Sequence, residues 1–203
     1  MNAKLTNRLN QILPRITSDA FRSSEGIGNE IACYIFDYQA EDELQVRSHI
    51  DLMLGRLASH HSELSVLHLD LFDVVIDYLK QRGLLDKALQ MQQTKGDPAV
   101  LQALKGPLAA EKIWDFIASE HNPQDHDLFL LSGVGSAWPM LRAHSLLNCL
   151  HTVMGQTPLV MFYPGSFDGT TLRLFGQIVA NTSKAGTKPY YRAFILIPGE
   201  SQS

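Results

Sequence analysis

The chain has 203 residues, of which 45% are hydrophobic, 8% aromatic and 19% charged, with two cysteines and a formal net charge of -4 at pH 7. That mixture excludes collagen-like, coiled-coil and fully disordered chains, and a chain of this length can bury about 70% of its unfolded surface without disulfide or metal staples. No run approaches the ~18 uninterrupted apolar residues of a membrane span, and the first segment is too polar for a signal peptide.

In chain order, Leu5, Leu9, Ile12, Leu13 and Ile16 recur at helical steps, so residues 1–25 are expected to carry an N-terminal amphipathic helix that Pro14 kinks or ends. After Gly26-Ile27-Gly28-Asn29, the run Ile31–Phe36 is apolar on both faces, as a central strand should be. Glu41-Asp42-Glu43 then open a helix with Val46, Ile50, Met53, Leu54 and Leu57 on its stripe. Residues 65–71 alternate as a second strand, followed by a helical stretch from Phe72 to about Met91 that Gly83 breaks. Two more helices are predicted over 97–121, separated by Lys105-Gly106-Pro107.

Asp127–Leu131 reads as a third strand, Met140–Met154 as a helix, and Leu159–Tyr163 as a fourth strand stopped by Pro164-Gly165. Strands are further expected at Leu172–Ile178 and Tyr190–Ile197, joined by a hairpin loop over 180–189. Strands alternating with helices predict an α/β fold: a mostly parallel central sheet flanked by helices, with an antiparallel C-terminal edge. A single domain over 26–198 and a disordered tail at 199–203 complete the expected organisation.

Ligands of open parallel sheets gather beyond the carboxyl ends of the strands. Three segments fall there: Asp37-Tyr38, Ser132-Gly133-Val134-Gly135-Ser136, and Tyr163 to Asp168. The second places two glycines between strand and helix, where backbone N–H groups can hold an anion. It has neither the third glycine of a dinucleotide fingerprint nor the Lys and Ser/Thr of a P-loop, so a plain turn is the competing reading. Arg142, His144, Asn148 and His151 lie on the helix that follows, where His144, Asn148 and His151 share one edge and Arg142 points away. Asp37, Ser132, Gly133, Gly135, Ser136, Arg142, His144, Asn148 and Tyr163 are therefore the candidate ligand- or partner-binding residues. No nucleophile, base and carboxylate are joined by spacing, and no catalytic residue is assigned.

Metal binding is not expected. His60-His61 end a helix, His121, Asp125, His126 and Asp127 straddle a loop at Asn122-Pro123, and Asp70, Asp73 and Asp77 read as a strand end and the solvated face of a helix. Cys33 and Cys149 lack CxxC or metal-spaced neighbours and are expected to be reduced thiols of a cytoplasmic protein. Residues 1–138 carry 12 Lys+Arg against 19 Asp+Glu (-7), and residues 139–203 carry 5 against 2 (+3). This polarity suits a partner surface. Nucleic-acid contact is confined to Arg173, Lys184, Lys188 and Arg192, too sparse a set to favour direct DNA binding. Trp138, Tyr163, Phe167, Tyr190 and Tyr191 are the aromatics expected at such a surface.

Five blocks in a fixed order carry a resemblance. The first holds Gly28-Asn29-Glu30, Tyr34-Ile35-Phe36-Asp37-Tyr38 and Glu41-Asp42-Glu43-Leu44; the second is Arg82-Gly83-Leu84-Leu85-Asp86-Lys87. The third is Gly133-Val134-Gly135-Ser136 with Pro139, Arg142, His144 and Leu146-Leu147-Asn148. The last two are Val160–Gly165 with Leu172-Arg173-Leu174-Phe175-Gly176, and Tyr190-Tyr191-Arg192-Ala193-Phe194. The sequence thereby resembles the BrxB family of bacteriophage-exclusion (BREX) defence systems, with a stretch at 180–188 longer than the family usually carries. The resemblance implies a cytoplasmic component of a multi-protein antiviral system that also contains the ATPase BrxC, the methyltransferase PglX and the alkaline-phosphatase-like PglZ. It brings no catalytic residues and no cofactor. The expectation is a non-enzymatic assembly or regulatory factor contacting PglZ and/or BrxC, with PglX a further partner and a homodimer left open. A degenerate nucleotide-binding domain and a nucleic-acid-binding accessory subunit are the alternatives.

Overall fold

A computed structural model describes residues 2–22, 33–149, 153–176 and 193–199. Six strands form a mostly parallel sheet: β1 (Cys33–Tyr38), β2 (Val66–Asp70), β3 (Leu128–Ser132), β4 (Leu159–Phe167), β5 (Leu172–Leu174) and β6 (Ala193–Ile195). Their order is β2-β3-β4-β1-β6, with β5 paired to β4 outside that path. Strands apolar on both faces require helices on both, and the side chains divide by parity. Tyr34, Phe36, Tyr38, Leu128, Leu130, Val160 and Phe162 meet one helical layer, whereas Cys33, Ile35, Phe129, Leu131, Leu159, Met161 and Tyr163 meet the other.

The first layer is built from α1 (Ala3–Ile16), the short α2 (Asp19–Arg22) and α3 (Glu43–His60), which a 3-10 turn at Ala40–Asp42 introduces. The predicted stripes are the buried ones: Leu5, Leu9, Ile12 and Ile16 of α1, and Val46, Ile50, Met53 and Leu57 of α3. Each such side chain contributes about 1.5–3 kcal/mol relative to exposure. The second layer holds α4 (Leu71–Gln81), α5 (Leu85–Lys95), α6 (Asp97–Leu104), α7 (Ala110–His121), α8 (Val134–Ala137) and α9 (Ala143–Asn148). Trp114 of α7 lies fully buried there and donates its indole N–H to the Leu146 carbonyl at 2.9 Å.

Several boundaries differ from expectation for physical reasons. Helix α1 runs past Pro14 to Ile16, because the N–H of Thr17 still closes onto the Leu13 carbonyl and Ile12 and Ile16 remain in the core. Strands β1 and β3 extend to Tyr38 and Ser132, so Asp37 and Ser132 are strand residues rather than loop residues. Pro164-Gly165 does not stop β4. The strand changes partners there, leaving its parallel neighbours to pair antiparallel with β5 through Gly165, Ser166 and Phe167. The antiparallel element is thus β5 on β4, while β6 runs parallel to β1 at the far edge. Among the described residues the last two strands do not pair with each other, and the 180–189 loop lies outside them. The helix expected over 140–154 is confined, within the described residues, to Ala143–Asn148.

Candidate functional site

The carboxyl ends of β1, β2, β3 and β4 converge as the parallel order demands, but their polar groups are largely engaged with one another. Asp37 accepts from Arg8 of α1 at 2.7 Å through Oδ1 and from the backbone N–H of Phe167 at 3.1 Å through Oδ2. Arg8 also donates to the Asp37 carbonyl and the Ile197 carbonyl, each at 2.9 Å, and lies 4.7 Å over the Phe36 ring. Asp37 is therefore a clamp joining α1, β1, the extension of β4 and the chain after β6.

Beside it, the Tyr38 hydroxyl donates to Glu43 Oε2 at 2.6 Å, and burial together with that carboxylate raises the phenol's pKa. Glu43 in turn accepts from Arg47 Nε at 2.8 Å, and Arg47 Nη2 reaches Ser136 Oγ at 2.9 Å. The Asp70 carboxylate is 3.9 Å from Arg47 and caps α4, accepting from the N–H groups of Phe72 and Asp73. Glu43, Arg47 and Asp70 were not singled out as site residues from sequence. Their spacing carries no motif, and only the strand order brings α3 over the end of β3.

Ser132 is buried and shares a 2.9 Å hydrogen bond with His68 Nε2 on the neighbouring strand. Gly133 follows with φ +70°, and the Asp70 carboxylate packs where a side chain would start. Gly135 lies against Pro164 and the Phe175 ring. Its α8 has only four residues, and the Asp70 carboxylate and the Arg47 guanidinium both stand against the turn.

Arg142 and Asn148 are exposed at the two ends of α9, with His144 half-buried between them. These three lie on the helical layer rather than at the Asp37–Ser132 cluster, and His151 is outside the described residues. Tyr163 and Phe167, expected at a surface, are each only 3% exposed: Tyr163 pairs with β1 inside the sheet, and Phe167 packs into the same core from the β4–β5 pair. Trp138 is 43% exposed and meets Phe175, 42% exposed, edge to face at 5.9 Å. Phe175 is expected inside a strand over 172–178, but β5 ends at Leu174 and Phe175 follows it with φ +53°. Arg173 pairs with Asp168 at 3.1 Å on the β4–β5 turn, where the N–H groups of Thr171 and Thr170 hold the Asp168 carboxyl below the usual range. Lys184, Lys188, Arg192, Tyr190 and Tyr191 fall outside the described residues.

Among the described residues no three His, Cys, Asp or Glu groups are placed to hold a metal ion. His126 and Asp127 are engaged by Ser65 instead. Burial pushes the Cys33 thiol up to about 12, and Cys149 is raised by burial and by Glu111 beside it. Neither cysteine is in a disulfide, and the Cys149 thiol donates to Glu111 Oε1 at 3.6 Å. No helix among the described residues is long and apolar enough to cross a membrane.

The family model described as "BREX protein BrxB" matches residues 67–196, most of the chain, from Leu67 in β2 through β6. The chain belongs to the BrxB family. It is similar to the BREX protein BrxB of Escherichia coli O9:H4 (strain HS), at 41% identity over 194 residues, 96% of this chain and 92% of that one. It is likewise 40% identical to the BREX protein BrxB of Bacillus cereus (strain H3081.97) over 196 residues, 96% of this chain and 98% of that one. No solved structure matches. As a member of that family, the chain is a component of a BREX defence system, and Asp37 and the glycine turn lie within the blocks that carry the resemblance.

The histidines of this BrxB make a solution prediction. Burial lowers the pKa of His49, His68 and His144, for His68 against the opposing pull of Asp70 and Asp51. An unfolded imidazole titrates near pH ~6.5, so below that value the unfolded chain binds protons the native chain resists. Stability is expected to fall as pH drops from 7.5 to 5.5. Urea midpoints should record that fall, and His68→Gln should make it shallower; a midpoint that rises on acidification contradicts the assignment.

Proposed function

We propose that this BrxB is a cytoplasmic, non-enzymatic assembly or regulatory subunit that docks PglZ and/or the BrxC ATPase, with PglX a further partner. The observation that supports this most is the exposed Trp138–Phe175 pair at the carboxyl end of the sheet. Two large rings, about two-fifths exposed, are held by a backbone that needs no partner to order it: the Phe175 N–H donates to the Pro164 carbonyl at 2.9 Å. Aromatic anchors on a rigid base are the commonest origin of binding hot spots, since little entropy is lost on contact. Beside them Ser136, next to the Gly135 that lies against the Phe175 ring, accepts from exposed Arg47 at 2.9 Å, so polar groups adjoin the aromatic pair.

The test is co-purification of the tagged chain from cells carrying the complete defence system. PglZ or BrxC should be recovered with the wild type. Trp138→Ala with Phe175→Ala should lower recovery at least about ten-fold, the loss expected when a central aromatic is truncated. Recovery of none of these proteins with the wild type overturns the proposal, as does full recovery with the double variant.

A further inference from the structure

The strand at one end of the sheet is the least covered. Among the described residues β2 pairs with β3 alone, and all of its residues but Leu67 are only partly buried. Along it runs a groove of about 690 Å³ lined by His68, Leu69 and Asp70, by Asp73, Val74 and Asp77 of α4, and by Phe116 and Glu120 of α7. His68, Leu69 and Asp70 are consecutive, so their side chains alternate between the two faces of the sheet. A groove that touches all three reaches the backbone edge of the strand, on the side that α4 and α7 cover.

Charge distinguishes this groove from an ordinary edge. Asp70, Asp73, Asp77 and Glu120 line it against one cation, Lys80, which is committed to Asp77 at 3.0 Å. Its floor is apolar, made by Leu69, Val74 and Phe116. Asp73 and Asp77 lie four residues apart on α4, a rise of about 6 Å. Alternate residues of an extended strand are about 6.6 Å apart. A strand laid beside β2 with basic side chains at positions i and i+2 thus meets both carboxylates in register, while its backbone meets the edge. Nucleic acid is repelled by the same charges, and a second copy of β2 would bring an equally acidic edge against this one.

We propose that β2 and the acidic groove along it form a second docking surface, separate from the aromatic rim, that takes a basic, extended segment of a partner protein by strand addition. The rim and the edge are carried by different residues, so either reading can fail alone.

The test uses the full chain and three fluorescein-labelled peptides: alternating lysine and valine, alternating glutamate and valine, and the lysine peptide with proline at its centre. Anisotropy should show binding of the first and none of the second. The proline peptide should bind about ten-fold more weakly, because proline deletes a donor of the ladder. Asp73→Asn with Asp77→Asn should weaken the lysine peptide by a similar factor at an unchanged melting temperature. Amide exchange of residues 66–70 should slow when the peptide is bound, while Trp138→Ala leaves the affinity unchanged. Equal binding of the proline peptide reduces the contact to loose charge attraction and overturns the proposal. So do no binding at all, indifference to the double variant, or a concentration-dependent dimer that protects residues 66–70 without peptide.

Discussion

Replacing Gly133 by alanine is expected to destabilise the chain by about 2–4 kcal/mol, through two costs of different origin. The backbone there has φ +70°, which costs an L side chain about 1–2 kcal/mol. The added methyl group also overlaps the Asp70 carboxylate, which is held in place as the cap of α4. Moving that carboxylate forfeits a helix cap worth about 1 kcal/mol. The two costs separate in a double-mutant cycle. With Asp70→Gly in the background, Gly133→Ala should lose the overlap and retain only the conformational cost, leaving a coupling of about 1 kcal/mol or more. Urea denaturation of the four proteins measures it. Strict additivity would show that Asp70 does not crowd the glycine.

The same residue shows how far the sequence could be read. Gly133 and Gly135 stood out as a turn between strand and helix, and that placement holds. What decides their chemistry is Asp70, 63 positions earlier, which comes beside Gly133 only because β2 and β3 are neighbours in register, Asp70 opposite Ser132. Local pattern carries the period of a strand and the stripe of a helix, so the α/β layering and the buried stripes of α1 and α3 were legible. Pairing partners are not local. The meeting of Phe175 with Trp138 and the engagement of Asp37 by Arg8 each depend on residues distant in the chain. Tyr163 and Phe167 illustrate the converse: nothing in an aromatic residue's own neighbourhood tells whether its strand is central or marginal.

The crowding of polar groups at the carboxyl end of the sheet has one physical source. A strand end brings unsatisfied backbone groups and, in this chain, carboxylates at Asp37 and Asp70. Left to water, such a crevice would be free for a ligand. Here Arg8 closes it from one helix and Arg47 from another, and Phe167 supplies an N–H from β4. The proposed recognition surfaces accordingly lie outside it, at the aromatic pair and the acidic edge.

Asp37 provides the sharper test of that view, because as a partner-binding residue and as a clamp it predicts opposite results. Its carboxylate and carbonyl take two of the three hydrogen bonds of Arg8, whose side chain is only 16% exposed, and the other carboxylate oxygen takes the Phe167 N–H. Asp37→Ala leaves a largely desolvated guanidinium without its counter-charge and a backbone donor without an acceptor, an expected loss of about 3–5 kcal/mol. Asp37→Asn keeps an acceptor for either neighbour but removes the charge, and should lose about 1–2 kcal/mol. Because the clamp ties α1 to the sheet, the loss should be uneven. Amide exchange should accelerate in residues 5–16 of α1 before it does in β3, the fully buried strand. In the co-purification assay, Asp37→Asn should recover partners as the wild type does. A variant that keeps its stability and its α1 protection but loses its partners would make Asp37 a contact residue and not a clamp.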